Sequence, residues 1–280
     1  SLFSILSCLG QTQIEIINAD LISFNKKNNK DRQVLKGNVK TKHNEHFMSC
    51  DSAYYYANEN KIEAFSNILI WQGDSLSLEG DFLIYSGNNQ IAEIVKNVHF
   101  KHNEMNLISE QLKYNFLLDK GFFDQKAIIY EKNKSLTSKQ GIYYASQEKF
   151  DFYKDVVIET KEETIRSDTL YYWLENEYAI FQSNGSIKNA KINVKAQYGW
   201  VNQKKGEAFL YKNVEITNLK NNSILRADSS HLFNKMNHSI SYGNTLLSMP
   251  INDDTLYLTA DTLYQQKKTE NNLLEAFPRA

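Results

Sequence analysis

The chain has 280 residues, with 32 basic and 33 acidic side chains and a hydrophobic share of 41%. That is enough apolar material for a sizeable core and too much for a disordered chain. A formal net charge of −1 lacks the basic excess that draws proteins to nucleic acid, so no nucleic-acid partner is expected.

The first residue is Ser1, not Met. Residues 2–9 form a short apolar run that ends at Gly10 and is followed by polar Gln11-Thr12-Gln13. Residues 1–10 therefore read as the remnant of a secretory signal peptide, cleaved after Gly10, which places the mature chain outside the cytoplasm; the other reading is a buried strand. Ile5-Leu6-Ser7-Cys8 loosely resembles a lipoprotein box, with Leu6 a poor fit, and whether Cys8 is lipidated stays open. No later stretch approaches the ~20 apolar residues of a membrane helix. Cys50 is then alone in the mature chain and replaces a small residue, which suits a buried small hydrophobe.

From residue 11 onward the chain repeats. An Asp-x-x-x-aromatic mark occurs at Asp20…Phe24, Asp51…Tyr55, Asp81…Tyr85 and Asp168…Tyr172. The phase persists with other first residues at Glu110…Tyr114, Lys139…Tyr143 and Ala196…Trp200, and weakens at Asp228…Leu232 and Asp261…Tyr264. Successive first positions lie 28–33 residues apart. A second mark, Asn-Val or a near equivalent, follows each first mark by 16–18 residues at Asn38-Val39, Asn67-Ile68, Asn97-Val98, Asp155-Val156 and Asn213-Val214. Nine units result, the ninth cut short at Ala280, which reads as a truncated C-terminus.

Within each unit apolar residues alternate with period two, which puts one row on one face of a strand. The rows include Leu83 and Tyr85, Leu112 and Tyr114, Leu170 and Tyr172, and Val156 and Ile158. Polar clusters at 57–61, 86–90, 131–134 and 219–222 read as turns. Gly and Pro are scarce, at 11 and 2, whereas Asn occurs 31 times, so the turning falls to Asn, which tolerates left-handed backbone. No window shows a helical stripe. The chain is expected to be all β, with roughly two dozen strands of about 6–8 residues in two facing layers. Thirty residues cannot close a private core, so the units share one, giving a single continuous domain over 11–280, elongated and open at both ends.

Candidate chemistry is thin. His43-x-x-His46 and His99-x-x-His102 invite a metal, but residues three apart on a strand point to opposite faces. Lys42-His43-Asn44-Glu45 and Lys101-His102-Asn103-Glu104 read instead as two copies of one turn. The recurrent acids Asp20, Asp51, Asp81, Asp168, Asp228 and Asp261 suggest a turn or rim role at a strand entry rather than a glycosidase pair. Nucleophile elbow, Cys/His pair and Gly-rich phosphate loop are missing from the sequence, so neither catalysis nor a cofactor is expected.

Units such as Ala19-Asp20…Phe24…Gly37-Asn38-Val39 and Gly80-Asp81-Phe82-Leu83-Ile84-Tyr85…Lys96-Asn97-Val98, with Arg226-Ala227-Asp228, resemble the OstA-like modules of lipopolysaccharide transport. The resemblance covers about residues 14–280 and is closer to the large multi-repeat OstA-like proteins than to the short LptA-like bridge. It implies a twisted, V-shaped β-jellyroll (a β-taco) in the periplasm, possessing an apolar trough for lipid A acyl chains and acting in outer-membrane assembly. It also implies end-to-end strand pairing with LptA-, LptC- or LptD-like partners. On this implication the lipid-binding lining is Ile70, Leu83, Tyr85, Val98, Phe100, Leu112, Tyr114, Ile129, Tyr143, Val156, Ile158, Leu170, Tyr172, Trp200, Val214 and Ile216. The periodicity alone fits a filled core equally well, as in a structural or carbohydrate-binding β-solenoid, since both need the same alternation.

Overall fold

A computed structural model describes residues 12–25, 32–233, 238–267 and 272–278. The expected signal segment and Cys8 lie outside the described residues. Among these residues every strand pairing is antiparallel and there is no α-helix, only two short 3₁₀ turns at Ala57–Glu59 and Ala145–Gln147. Among the described residues no helix is long and apolar enough to cross a membrane. The strands group into two compact units, residues 1–125 and 126–280.

The first unit holds β1 (Glu15–Asn18), β2 (Leu21–Asn25), β3 (Arg32–His43), β4 (His46–Tyr56), β5 (Lys61–Gln72), β6 (Leu76–Ser86), β7 (Ile91–His102), β8 (Met105–Asn115) and β9 (Lys120–Phe123). In it, β3 to β9 form a meander in which each strand pairs with the next, while β1 and β2 both pair with β3. The second unit holds β10 (Ala127–Glu131), β11 (Lys134–Ser138), β12 (Gln140–Tyr144), β13 (Lys149–Glu159), β14 (Glu163–Trp173), β15 (Tyr178–Asn189) and β16 (Ile192–Asn202), then β17 (Glu207–Asn218), β18 (Ile224–Phe233), β19 (His238–Ile251), β20 (Asp254–Lys267) and β21 (Asn272–Phe277). There β11 and β12 pair with the two halves of β13, and β13 to β21 continue the meander.

The full strands run to 10–14 residues, not 6–8, because each continues through one sequence mark, β4 and β6 through a first mark and β5 and β7 through a second. The marks are corners inside strands, not strand entries. At every corner the register slips: Phe65 pairs with Phe82, and the next pair is Ile68 with Gly80. Two residues stand there against one, and they are successive left-handed positions, such as Ser66 and Asn67 (φ 61° and 49°), Lys96 and Asn97 (64° and 51°) and Ser183 and Asn184 (63° and 54°). Such a bulge bends the bulged strand and sharpens its twist. Left-handed backbone costs an L-residue about 1–2 kcal/mol, less for Asn, which explains why Asn recurs at the second mark.

The two marks are halves of one device. Asn67 Nδ2 donates to Asp51 Oδ2 at 2.8 Å, Asn97 to Asp81 at 2.7 Å, Asn184 to Asp168 at 2.6 Å and Asn244 to Asp228 at 2.8 Å. Asn38 does the same to Asp20 at 2.9 Å. Where the first mark is Lys139, the second is Asp155, and the two form an ion pair at 2.5 Å with the roles reversed. The residue before the mark is small because it faces inward at the corner. Where it is Ser, as at Ser138 and Ser167, its hydroxyl lies within hydrogen-bond reach of three carbonyls around the bulge, at 2.7–3.5 Å.

Each strand folds back at its corner, so within each unit two layers face one another. Phe100 pairs in register with Leu107, and Tyr114 with Ala92, seven residues away along β8. On a straight strand that separation is about 23 Å. The Phe100 and Tyr114 rings instead lie 5.1 Å apart, centroid to centroid. In the second unit Leu225 and Leu247 of one layer pack against Leu263 of the other. The first layer of each unit bears the short turns (44–45 and 103–104, for example), and the second layer bears 57–60, 87–90, 145–148 and 174–177.

Candidate functional site

The interior between the layers is the candidate site. Its row is Ile62, Ala64, Ile68 and Ile70 on β5, and Ala92, Ile94, Val98 and Phe100 on β7, each 0–2% exposed. At each corner two residues of one strand stand opposite one of its neighbour, which keeps the rows on one face through the bend, with small residues such as Gly80, Ser109, Ser138 and Ser167 in the inward place there. Of the sixteen residues proposed for the lining, fourteen are buried. Ile216 faces the same interior, half-buried against Leu225, Leu247 and Leu263. Trp200 does not: it lies on the opposite face, stacked against Phe209 at 6.4 Å. The reason is a phase error of one. Ala196, 5% exposed, occupies the small inward place before the mark, so Gln197 is the mark and Val201 the inward residue.

The interior is closed by its own side chains. Phe181, 1% exposed, fills the space in front of two glycines, and a Cβ on Gly199 would lie 2.6 Å from its Cζ. A cavity of about 10 Å³ sits near the rim of the first unit, between His43, His46, Met48, Ile70 and Tyr85, with room for about one water. Burial pushes the phenols of Tyr85, Tyr114 and Tyr172 well above the usual tyrosine range, Tyr172 also through Glu131, Glu177 and Glu163. They remain protonated donors at any physiological pH.

The free rims of the layers are tied to each other. In the first unit Asn60 accepts from Ile14 N at 2.9 Å and donates to Thr12 O at 2.9 Å, while His43 Nδ1 meets Tyr85 OH at 2.7 Å. In the second, Lys134 of β11 donates to Tyr172 OH at 2.9 Å and pairs with Glu177 at 3.0 Å. Gln203 donates to Glu163 at 2.9 Å. Polar rim residues carry no periodicity, so sequence reasoning missed Lys134, Glu163, Glu177 and Gln203; only their recurrence beside turns offered a signal.

The outer faces differ. On the first layer of the second unit stand Arg166, Lys195, Glu215 and Arg226, with Arg226 and Glu215 paired at 2.8 Å. The second layer carries a file of rings, Trp173, Tyr178, Trp200, Phe209, His231, Phe233, His238 and Tyr264, each within 6.4 Å of the next.

His43 and His46 flank a two-residue hairpin and are register partners, so both point inward, 4% and 9% exposed, and not to opposite faces as the strand rule gave. His43 is engaged by Tyr85 and Thr12, and burial lowers the His46 pKa. Lys101-His102-Asn103-Glu104 makes the matching turn, with Asn44 and Asn103 at φ 53° and 54°. Among the described residues no group of three or more His, Cys, Asp or Glu is placed to hold a metal ion. Cys50 is buried and its thiol is pushed up to about 12 by burial, which makes it inert.

The family model described as OstA-like protein matches residues 11–168. No curated protein matches the chain. Among solved structures, that of LptH from Pseudomonas aeruginosa, titled the LptA homologous periplasmic component of the conserved lipopolysaccharide transport device, is similar at 11% identity. The match covers 49% of this chain and 81% of that one with a TM-score of 0.25.

Proposed function

The chain belongs to the OstA-like protein family, and from that premise we propose that it is an exported, non-enzymatic component of lipopolysaccharide transport or outer-membrane assembly in the periplasm. Its interior carries acyl chains between the two layers. The observation that supports this most is the inward row, which is apolar on both sides of the corners of β5 and β7. One fourteen-carbon chain in water costs on the order of 10 kcal/mol, so an acyl lipid needs such cover along its whole path. Near-identical repeats make sliding from one to the next nearly isoenergetic, with direction supplied from outside. The layers touch, so a chain enters by displacing ring contacts such as Phe100–Tyr114.

Partners follow from the edges. Among the described residues β1 and β2 pair with β3 alone, and Leu21, Ile22 and Phe24 on β2 are exposed, Phe24 by 74%. In the second unit β21 pairs with β20, and Phe277 is exposed. Unpaired edges of this kind take a further strand, which suits end-to-end pairing with LptA-, LptC- or LptD-like proteins.

The test is photo-crosslinking to purified lipid A from a benzoylphenylalanine placed at Tyr85, Tyr114 or Tyr172, with native mass spectrometry. Adducts are expected from the inward positions. Folded protein that yields none would count against the acyl path. A second reading has specific support: the closed interior and the outer ring file are what a carbohydrate-binding β-solenoid requires. Glycan binding that is lost on Trp200→Ala, with no lipid adducts, would favour it.

A further inference from the structure

We propose that the rim of the second unit is the entry site of the interior, a polar clasp that an amphiphile opens by substituting its own head group. This rests on the acyl-carrying reading above. Five side chains from the two opposing rims form one connected network. Lys134 Nζ donates to Tyr172 OH at 2.9 Å, pairs with Glu177 Oε2 at 3.0 Å and lies 5.7 Å from the Tyr172 ring centroid. Tyr172 OH donates to Gln203 Oε1 at 3.3 Å, and Gln203 Nε2 donates to Glu163 Oε1 at 2.9 Å. Lys134 and Glu163 come from the first layer, and Tyr172, Glu177 and Gln203 from the second.

The ion pair is largely out of water, the Lys134 and Glu177 side chains being 9% and 21% exposed. Beneath it lie Leu136 and the Tyr172 ring, both at 0% exposure. The rim of the first unit is tied differently, by the neutral Asn60 amide and the His43–Tyr85 contact. A charged tie placed over an apolar interior is selective. Pulling it open without replacement leaves a buried ammonium and two carboxylates unpaired, which is costly. A bare hydrocarbon offers no replacement.

An amphiphile does. An anionic oxygen of its head group takes the place of Glu177 on Lys134, and hydroxyl or amide donors take the place of Gln203 on Glu163. One acceptor is already available, since Glu131 is 5% exposed and its Oε2 has no partner among the described residues. Glu131 is close enough to Tyr172 to raise its phenol. The ligand class is therefore an acyl lipid whose head carries both anionic oxygens and hydrogen-bond donors.

The test uses the whole chain with Cys8→Ser and the pair Lys134→Cys and Glu177→Cys. Cys50 is buried with its thiol at about 12 and does not compete. A bis-methanethiosulfonate bridge ties the rims, and dithiothreitol releases them. Uptake of purified lipid A is followed by native mass spectrometry, and folding by the urea midpoint. The bridged protein is expected to load at least tenfold more slowly than the same protein after reduction, and Lys134→Ala to load faster than the parent. Glu163→Cys with Gln203→Cys provides a second bridge if the first pair does not fold. Loading of bridged protein at the parent rate would overturn the clasp and leave the acyl path standing. A folded parent that takes up no lipid A would overturn the acyl path, and the clasp with it.

Discussion

Replacing Gly185 by Ala puts a methyl group into the Phe181 ring, because a Cβ at that position falls well inside van der Waals contact of Cε2 and Cδ2. Gly185 does not have a positive φ, so the substitution carries no backbone penalty and its cost is steric. The ring is hemmed in from a second side, since a Cβ on Gly199 would lie 2.6 Å from Cζ. Overpacking of this kind costs about 1–3 kcal/mol. Phe181→Ala alone, at a site 1% exposed, should cost about 3–5 kcal/mol. In that background the same methyl group enters free space, and Gly185→Ala is then expected to gain roughly 0.8 kcal/mol. The double-mutant cycle therefore predicts a coupling of about 2–4 kcal/mol. Urea unfolding, read from the fluorescence of Trp173 and Trp200 in the same unit, measures all four corners of the cycle. A neutral Gly185→Ala, or additive effects of the two substitutions, would show that the layers do not close on Phe181, and the account of a filled interior would fail.

Three further outcomes follow from the corners and the rim. Asn97→Ala loses the bond to Asp81 and leaves Ala at φ 51°, for about 1–2 kcal/mol in urea unfolding, whereas Asn97→Gly keeps the backbone relaxed and costs less. Lys139→Asp sets a like charge against Asp155 and should lower the urea midpoint, more so at low salt; adding Asp155→Asn recreates the common Asp–Asn pair and should restore it. His46 is buried with its pKa lowered from 6.5, so the unfolded chain takes up its proton first. Stability from this residue is complete above pH ~6.5 and falls as the pH drops below it, by at most ~1.4 kcal/mol per unit until the folded pKa is reached. His46→Phe should flatten that part of the stability-against-pH curve.

The fold class, the repeat and most of the inward row were legible because period-two alternation holds on either side of each corner: Leu112 and Tyr114, or Val156 and Ile158, need no neighbour to be recognised. The turns were legible for the same reason, since eleven of the 22 described non-glycine residues with positive φ are Asn. Strand length was misjudged because the second mark looks like a turn; its two left-handed residues have the backbone of a tight turn but sit within a continuous strand. Trp200 was placed on the wrong face because Ala196 stands one residue before the true corner, and a single-residue slip exchanges the faces of a strand. The Asp–Asn bond was visible only as two independent marks, for sequence spacing does not say that residues sixteen apart meet. The rim network was invisible, because Lys134, Glu177 and Gln203 come from three different turns and only the folding back of the strands unites them.

Four of the bends are held by a carboxylate and an amide on adjoining strands, and another by the Lys139–Asp155 ion pair, each time by partners sixteen residues apart. Inserting or deleting one whole module would leave these remaining bend ties intact. The span of such a molecule is therefore adjustable by duplication of about thirty codons at a time, with no redesign of what lies on either side.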